Sequence, residues 1–383
     1  TPSRNPRMKR ILFISTTTGY AWPGSEELWY RAALGLLYSD CRVAAWVHSD
    51  IARSTQIADL RKEGAEVAAW KTPSLLDLAA FRARLFTPFP RSVLDGFDTV
   101  VVSTGSLPSL AYPHGLLSAL LTTKAEVVIL CQFNAEQLVI SPHERARVAS
   151  LLAKARRVVF VSAHNRDTAS RQFGFDLSGH PVISNPIRFT TDTYFGWPRS
   201  EVPHFANLAR METGWKCQDV LLDILRKPAW REREWRMTFF GEGPDREYLE
   251  KLTKDYGLSD RVIFAGYVPA AGDIWRDQHV LLLPSRGEGR PLALLEAMMA
   301  SRPAVVTDVG GIAETVEDGV NGWVAESAAQ SSFAAAMERA WADREQWRRM
   351  GEAGHRRIKT IASEGSIYDL MAIIAGADAE RGR

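Results

Sequence analysis

Short apolar runs alternate with longer stretches in which apolar residues recur every three or four positions, and the pattern repeats along most of the chain. Ile11–Ser15, Val43–Val47, Val67–Trp70, Thr99–Ser103, Val127–Leu130 and Val158–Val161 have strand length. Between the first two, Leu28, Trp29, Ala32, Ala33, Leu36 and Leu37 lie at helical spacing within Glu26–Tyr38, and Ile51–Glu63 predicts a second helix. Near-continuous apolar strands separated by helices predict a parallel sheet covered on both faces. A second series starts near Pro186. Its strands are His204–Leu208, Met237–Phe240, Val262–Phe264, Val280–Leu283, Ala304–Thr307 and Gly322–Ala325. Helices are expected at Gln218–Leu225, Arg246–Tyr256, Pro291–Met299 and Ile312–Glu317, and an Ala-rich helical tail runs on from Ser331. Prolines in Pro181–Pro186 and Trp197–Pro203 mark a hinge. The pattern therefore predicts two doubly wound Rossmann-like domains, 8–185 and 186–360, with a helical tail over 361–383 returning to the first. Ligands of such sheets sit at the C-terminal strand ends, so the cleft between the domains is where chemistry belongs.

Length agrees with two domains, since 383 residues exceed one ordinary core. A composition 46% hydrophobic and 24% charged is that of a globular chain, and a formal net charge of +2 does not argue for nucleic acid. Cys41, Cys131 and Cys217 are too scattered for a metal or redox motif, which suits reduced thiols and a cytoplasmic protein. No apolar stretch reaches the 18 or so residues a spanning helix needs. Met8 reads as a start, and residues 1–7 are left out of the fold.

The segment carrying most chemistry is Pro284–Thr307, PSRGEGRPLALLEAMMASRPAVVT. A strand ends in a loop holding Gly287 and Gly289, and a helix begins near Pro291, a residue suited to the first helical position. A helix start offers unpaired N–H groups and partial positive charge to a diphosphate. Glu288 in the loop and Glu296 in the helix can flank one bound molecule, each accepting two O–H bonds from a vicinal diol.

This segment resembles the Glu-x7-Glu signature of the family-4 retaining glycosyltransferases. The likeness runs on through Asp308-Val-Gly-Gly-Ile-Ala-Glu314 and Asp318-Gly-Val-Asn-Gly-Trp323. It also reaches back over Ala209-Arg-Met-Glu-Thr-Gly-Trp-Lys216, Phe240-Gly-Glu-Gly-Pro244 and Val262-Ile-Phe-Ala-Gly266. The resemblance implies a GT-B fold, an N-terminal acceptor domain and a C-terminal donor domain. It implies transfer of a hexosyl unit from a nucleoside-diphosphate sugar, UDP- or GDP-linked, to a hydroxyl of a glycan or glycolipid, with retention. Glu288 would then hold the donor sugar, Glu296 the ribose, and Arg210 with Lys216 the diphosphate. Cations on a leaving group strengthen their bonds as it departs and so lower the barrier. No D-x-D motif is present, and no metal or other cofactor is expected. Gly289 and the main-chain N–H groups of Arg290 and Leu292 would add to the diphosphate site, while Pro291 between them has no N–H to give. Gly241, Gly243, Tyr267 and Val268 would approach the nucleotide, and Gly24 would close over the phosphates.

The N-terminal half departs from that pattern. Trp22-Pro-Gly-Ser-Glu26 lacks GxGxxG, which counts against a dinucleotide dehydrogenase. Glu26 reads as a helix N-terminal charge. Where many members have a histidine the chain reads Cys131-Gln132-Phe133-Asn134. Gln132 and Asn134 are candidates for sugar hydroxyls, and His114 is a weak substitute for the histidine. Arginines interleaved with phenylalanines over 81–91, and the cations of His143–Arg157, suit a peripheral contact with the inner face of a membrane and a lipid-linked acceptor. Rival readings are a nucleotide-sugar epimerase or sugar-phosphate synthase on the same fold, and a non-catalytic relative that acts as a binding partner.

Overall fold

The computed structural model describes residues 8–20, 22–71, 89–111, 115–189, 195–268, 270–363 and 366–377. Strands β1 (Arg10–Ser15), β2 (Arg42–His48), β3 (Glu66–Trp70), β4 (Thr99–Thr104), β5 (Glu126–Cys131) and β6 (Arg157–Phe160) alternate with helices. These helices are α1 (Glu27–Leu37), α2 (Thr55–Lys62), α3 (Leu116–Thr122), α4 (Pro142–Lys154) and α5 (Ala163–Phe173). The second series runs β7 (His204–Leu208), α6 (Gln218–Leu225), β8 (Arg236–Phe240), α7 (Arg246–Asp255), β9 (Val262–Gly266) and β10 (Val280–Leu283). It continues with α8 (Leu292–Met299), β11 (Ala304–Thr307), β12 (Gly322–Ala325), α9 (Gln330–Ala342) and α10 (Trp347–Ser363), and α11 (Ile367–Ala375) closes the chain.

Each series makes a six-stranded sheet, β3-β2-β1-β4-β5-β6 and β12-β11-β10-β7-β8-β9, with all pairings parallel. In both, the order reverses beside the first strand, at β1/β4 and at β7/β10. The crevice at such a reversal is where doubly wound sheets take ligands. The expected α/β class with two Rossmann-like halves is what forms, the GT-B arrangement.

The chain divides into residues 1–186 with 365–383, and residues 187–364. In the first unit alternate strand residues feed two apolar layers, Leu12, Ile14, Val100 and Val102 on one face, Ile11, Phe13, Val101 and Val128 on the other. That is why both faces of β1, β4 and β5 read as apolar. Helix α11 belongs to the first unit, where Leu370, Ile373 and Ile374 join the core beside Leu36. Gly35 permits the contact, since a Cβ there would lie 2.5 Å from the sulfur of Met371.

Three local expectations differ from the structure. Ile51–Glu63 is not one helix: a 3-10 turn, Ile51–Arg53, precedes α2, whose N-cap Ser54 is extended. Ile312–Glu317 is no helix: a 3-10 turn, Gly310–Ile312, gives way to turns. There Thr315 Oγ1 donates to Gly311 O (2.9 Å), and Glu317 N donates to Asn321 Oδ1 (2.9 Å). Short polar side chains compete with the helical ladder in this way. Pro291 is the N-cap of α8, with ψ 126°, rather than its first helical residue.

Candidate functional site

The loops after β7 and β10, the two strands at the reversal of the second sheet, lie together. Arg286 N donates to Trp215 O (2.8 Å), and its guanidinium donates to Thr213 O (2.9 Å) and Gly214 O (3.0 Å). This lacing carries Lys216, at the end of the one-turn helix Thr213–Lys216, onto Glu288: Nζ to Oε1 is 2.6 Å. The same oxygen accepts Ser285 Oγ (2.7 Å), and Glu288 is only 8% exposed. An ammonium has three donors. Two remain for a ligand while Glu288 holds the third.

Arg210 stands on the same loop. Gln218 Nε2 donates to its carbonyl (2.7 Å), and its guanidinium pairs with Glu212. The loop after β8 fixes this segment from the other side. Ala209 N donates to Phe240 O (3.1 Å), Met211 N to Glu242 O (3.0 Å), and Asp245 N to Met211 O (3.1 Å). Asp245 Oδ2 also accepts Thr213 N and Oγ1, each at 2.7 Å. Such an approach leaves no room for side chains. A Cβ on Gly241 would lie 2.3 Å from Ala209 O, and one on Gly243 2.3 Å from Met211 O; Gly241 also has φ +123°. These glycines are required by the backbone that carries Arg210, a reason the sequence did not disclose.

Helix α8 is buried all round, as its apolar composition LALLEAMM requires. Its one charged residue, Glu296, is wholly buried, and Arg188 meets it with a fork: Nε to Oε1 2.7 Å, Nη2 to Oε2 3.0 Å. An unpaired carboxylate at that depth would be costly, and removing one partner of a buried pair costs about 3–5 kcal/mol. Reading the sequence missed Arg188, which lies 108 positions from its partner. Glu288 and Glu296 thus take different cations. Arg290, 5% exposed, pairs with Glu314, and Gly289 O accepts Gly311 N (2.6 Å). A Cβ on Gly310 would lie 1.8 Å from Glu288 O, so the Gly310–Gly311 turn seats against the loop that holds Glu288. Leu292 opens α8, Tyr267 is 52% exposed, and Val268 is half-buried at the edge of the core.

In the first unit Gly24, itself exposed, opens a 3-10 turn, Gly24–Glu26. Glu26 is wholly buried and caps no helix N–H with its side chain. Instead it accepts Thr17 Oγ1 (2.8 Å) and Trp29 Nε1 (2.6 Å), and burial pushes its carboxyl above the usual range. Gln132 is buried just after β5, and among the described residues neither amide atom has a hydrogen-bond partner. Asn134 Nδ2 donates to Gln172 Oε1 on α5. His114 and residues 81–88 lie outside the described residues. The cations of α4 bind protein: Arg145 Nε donates to Gln172 O (2.9 Å) and Arg147 Nη2 to Ser118 Oγ (2.9 Å). Lys154 Nζ caps the end of α3 through the carbonyls of Leu120 (2.8 Å), Leu121 (3.0 Å) and Thr123 (2.6 Å). Among the described residues no helix is long and apolar enough to cross a membrane.

Residues 202–343 match the model of the family described as Glycosyl transferases group 1. The chain is 35% identical to the alpha-D-kanosaminyltransferase of Streptomyces kanamyceticus over 32% of each chain. It is 30% identical to the N-acetyl-alpha-D-glucosaminyl L-malate synthase of Bacillus anthracis, over 39% of this chain and 38% of that one. The chain thus spans less than two fifths of the length of either relative. The structure of Anabaena Alr3699/HepE in complex with UDP superposes with a TM-score of 0.71 at 18% identity, covering 97% of this chain and all of that one. That likeness is one of fold.

Proposed function

We propose that the protein is a glycosyltransferase of polysaccharide synthesis that moves a hexosyl unit from a nucleoside-diphosphate sugar to a hydroxyl of a glycan or glycolipid, with retention of configuration. The observation that carries the reading is the joining of Lys216 to Glu288 at the strand reversal of the second sheet, with Arg210 on the loop that leads to Lys216. The match of residues 202–343, which contain all three, supports the same class. The HepE structures hold UDP and UDP-glucose, which favours a uridine nucleotide as the first donor to try.

In this reading the leaving diphosphate lies against Lys216 and Arg210, with the main-chain N–H groups of Arg290 and Leu292 completing its contacts. Glu288 accepts hydroxyls of the donor sugar and Glu296 those of the ribose. As the glycosidic bond breaks, negative charge grows on the phosphate oxygens, and fixed cations stabilise that state more than the bound donor. A leaving oxygen on the face of attack can take the acceptor's proton, so no strong base is required where Gln132 stands. The first unit would present the acceptor, with Gln132 and Asn134 near its hydroxyls and Gly24 over the phosphates; no metal would take part. The protein would work in the cytoplasm, at the inner face of a membrane where the acceptor is lipid-linked.

Thermal unfolding across UDP-, GDP-, ADP- and dTDP-sugars tests this. A donor at 100 times its dissociation constant should stabilise the fold by about 2.7 kcal/mol. If no nucleotide sugar shifts the transition, the proposal fails.

A further inference from the structure

Glu296 lies on α8 with no exposed surface, and its neighbours along the helix are apolar. The segment that supplies its partner is held firmly. Ile187 and Phe189, on either side of Arg188, pack against the core cluster containing Leu292, Leu294 and Leu295. Anchored at both flanks, Arg188 reaches Glu296 with Nε and Nη2, one nitrogen to each oxygen. Arg188 keeps 22% of its side chain exposed, so the cation, not the carboxylate, is the member of the pair nearer to solvent.

A carboxylate has about four lone-pair sites, and a guanidinium fork takes one on each oxygen. The site left on each oxygen suits two neighbouring hydroxyls. A planar fork also sets the plane of the carboxylate, which a single contact from a flexible ammonium does not.

We infer that Arg188 is a positioning residue for the donor nucleotide: its fork keeps Glu296 aimed, and through Glu296 it sets the preference for a ribose diol. The inference rests on the proposed reading of the second unit as a nucleotide site and assigns Arg188 a part in that site. Arg188 itself need not touch the nucleotide. Entry of the ribose requires the side chains that cover Glu296 to part while the Arg188 fork holds.

The test is calorimetric titration of the whole chain with UDP, GDP and ADP and with their 2′-deoxy counterparts, with folding followed by circular dichroism. The unaltered protein should bind one ribonucleotide about tenfold or more tighter than its deoxy form, the size of one charge-assisted hydrogen bond. Arg188→Gln should reduce that ratio to about twofold or less, whereas a residue that only supports the fold would weaken both nucleotides alike and leave the ratio unchanged. Arg188→Lys, which keeps the charge but not the fork, should fall between the two, and it decides the matter if the glutamine variant does not fold. An unchanged ratio in the variant that folds overturns the inference. Binding without ribose preference in the unaltered protein also overturns it and leaves the donor-binding proposal standing. No binding of any nucleotide ends both.

Discussion

Among the buried glutamates, Glu26 in the first unit and Glu288 and Glu296 in the second are held differently. In the second unit Glu288 meets Lys216 and Glu296 meets Arg188, so each carboxylate has its own cation. In the first unit Glu26 meets neutral donors, Thr17 and Trp29, and burial drives its carboxyl toward the protonated form. The contrast separates two uses of a buried acid. Paired with a cation, it can grip hydroxyls, and Lys216 keeps two donors for an anion. With neutral partners alone, it acts as a brace, tying the start of the Thr16–Ser25 loop to α1. Sheets of the same strand order therefore carry an ionic site in one unit and a mostly neutral one in the other, where Gln132 and Asn134 stand beyond β5.

The largest test of this contrast is Arg210→Ala. If the second unit stabilises a leaving diphosphate, turnover with the donor found by thermal unfolding should fall by about 10²–10³-fold. Its melting temperature should move little, since Arg210 is partly exposed and its loop is held by main-chain bonds. Matching losses of activity and stability would make Arg210 a structural residue and weaken the ionic reading.

Gly243→Ala probes how that site is built. The added methyl would lie 2.3 Å from Met211 O, so the two loops must part. Overpacking of this kind costs about 1–3 kcal/mol. Urea denaturation should show that loss together with weaker nucleotide binding, because the displaced loop carries Arg210 and leads to Lys216. Full stability in the variant would mean that the loops are not held together as described.

The smallest expected effect belongs to Glu26→Gln. A carboxyl whose folded pKa is raised binds its proton more tightly in the native state, so stability falls as pH rises from the ordinary carboxylate range through the raised value. Below that range the group costs nothing. Above it, the glutamine variant should equal or exceed the unaltered protein, by about 1 kcal/mol at most, since an amide cannot ionise. The emission of Trp29, whose indole N–H reaches this carboxyl, offers the readout. A variant whose stability fell off with rising pH as steeply as the unaltered protein's would show that Glu26 is not the group that titrates.

Much of the architecture could be read before any coordinates. The strands after Pro186 were legible almost to the residue, because a strand buried on both faces must be apolar throughout, and that leaves a mark on composition. The loops after β7 and β10 were legible as a candidate site through the family resemblance, since cations and glycines at strand ends by themselves are also the marks of a solvated turn. The turn after Gly310 was misread as helix, since Thr315 and Asn321 spend their side chains on main-chain partners that periodicity does not register.

Local pattern, then, was enough to determine two α/β halves, and the family resemblance singled out Arg210, Lys216, Glu288 and Glu296 within them. Only the tertiary structure decided which charges neutralise one another. Lys216 and Glu288 are 72 positions apart and Arg188 and Glu296 are 108 apart. Pairing across such distances is set by where strand order and helix packing deliver each side chain. The role of Gly241 and Gly243 was likewise hidden, because a glycine needed for close approach is defined by the backbone opposite it. Secondary structure follows from neighbours in sequence; desolvated charge must be balanced by neighbours in space, which the chain acquires only on folding.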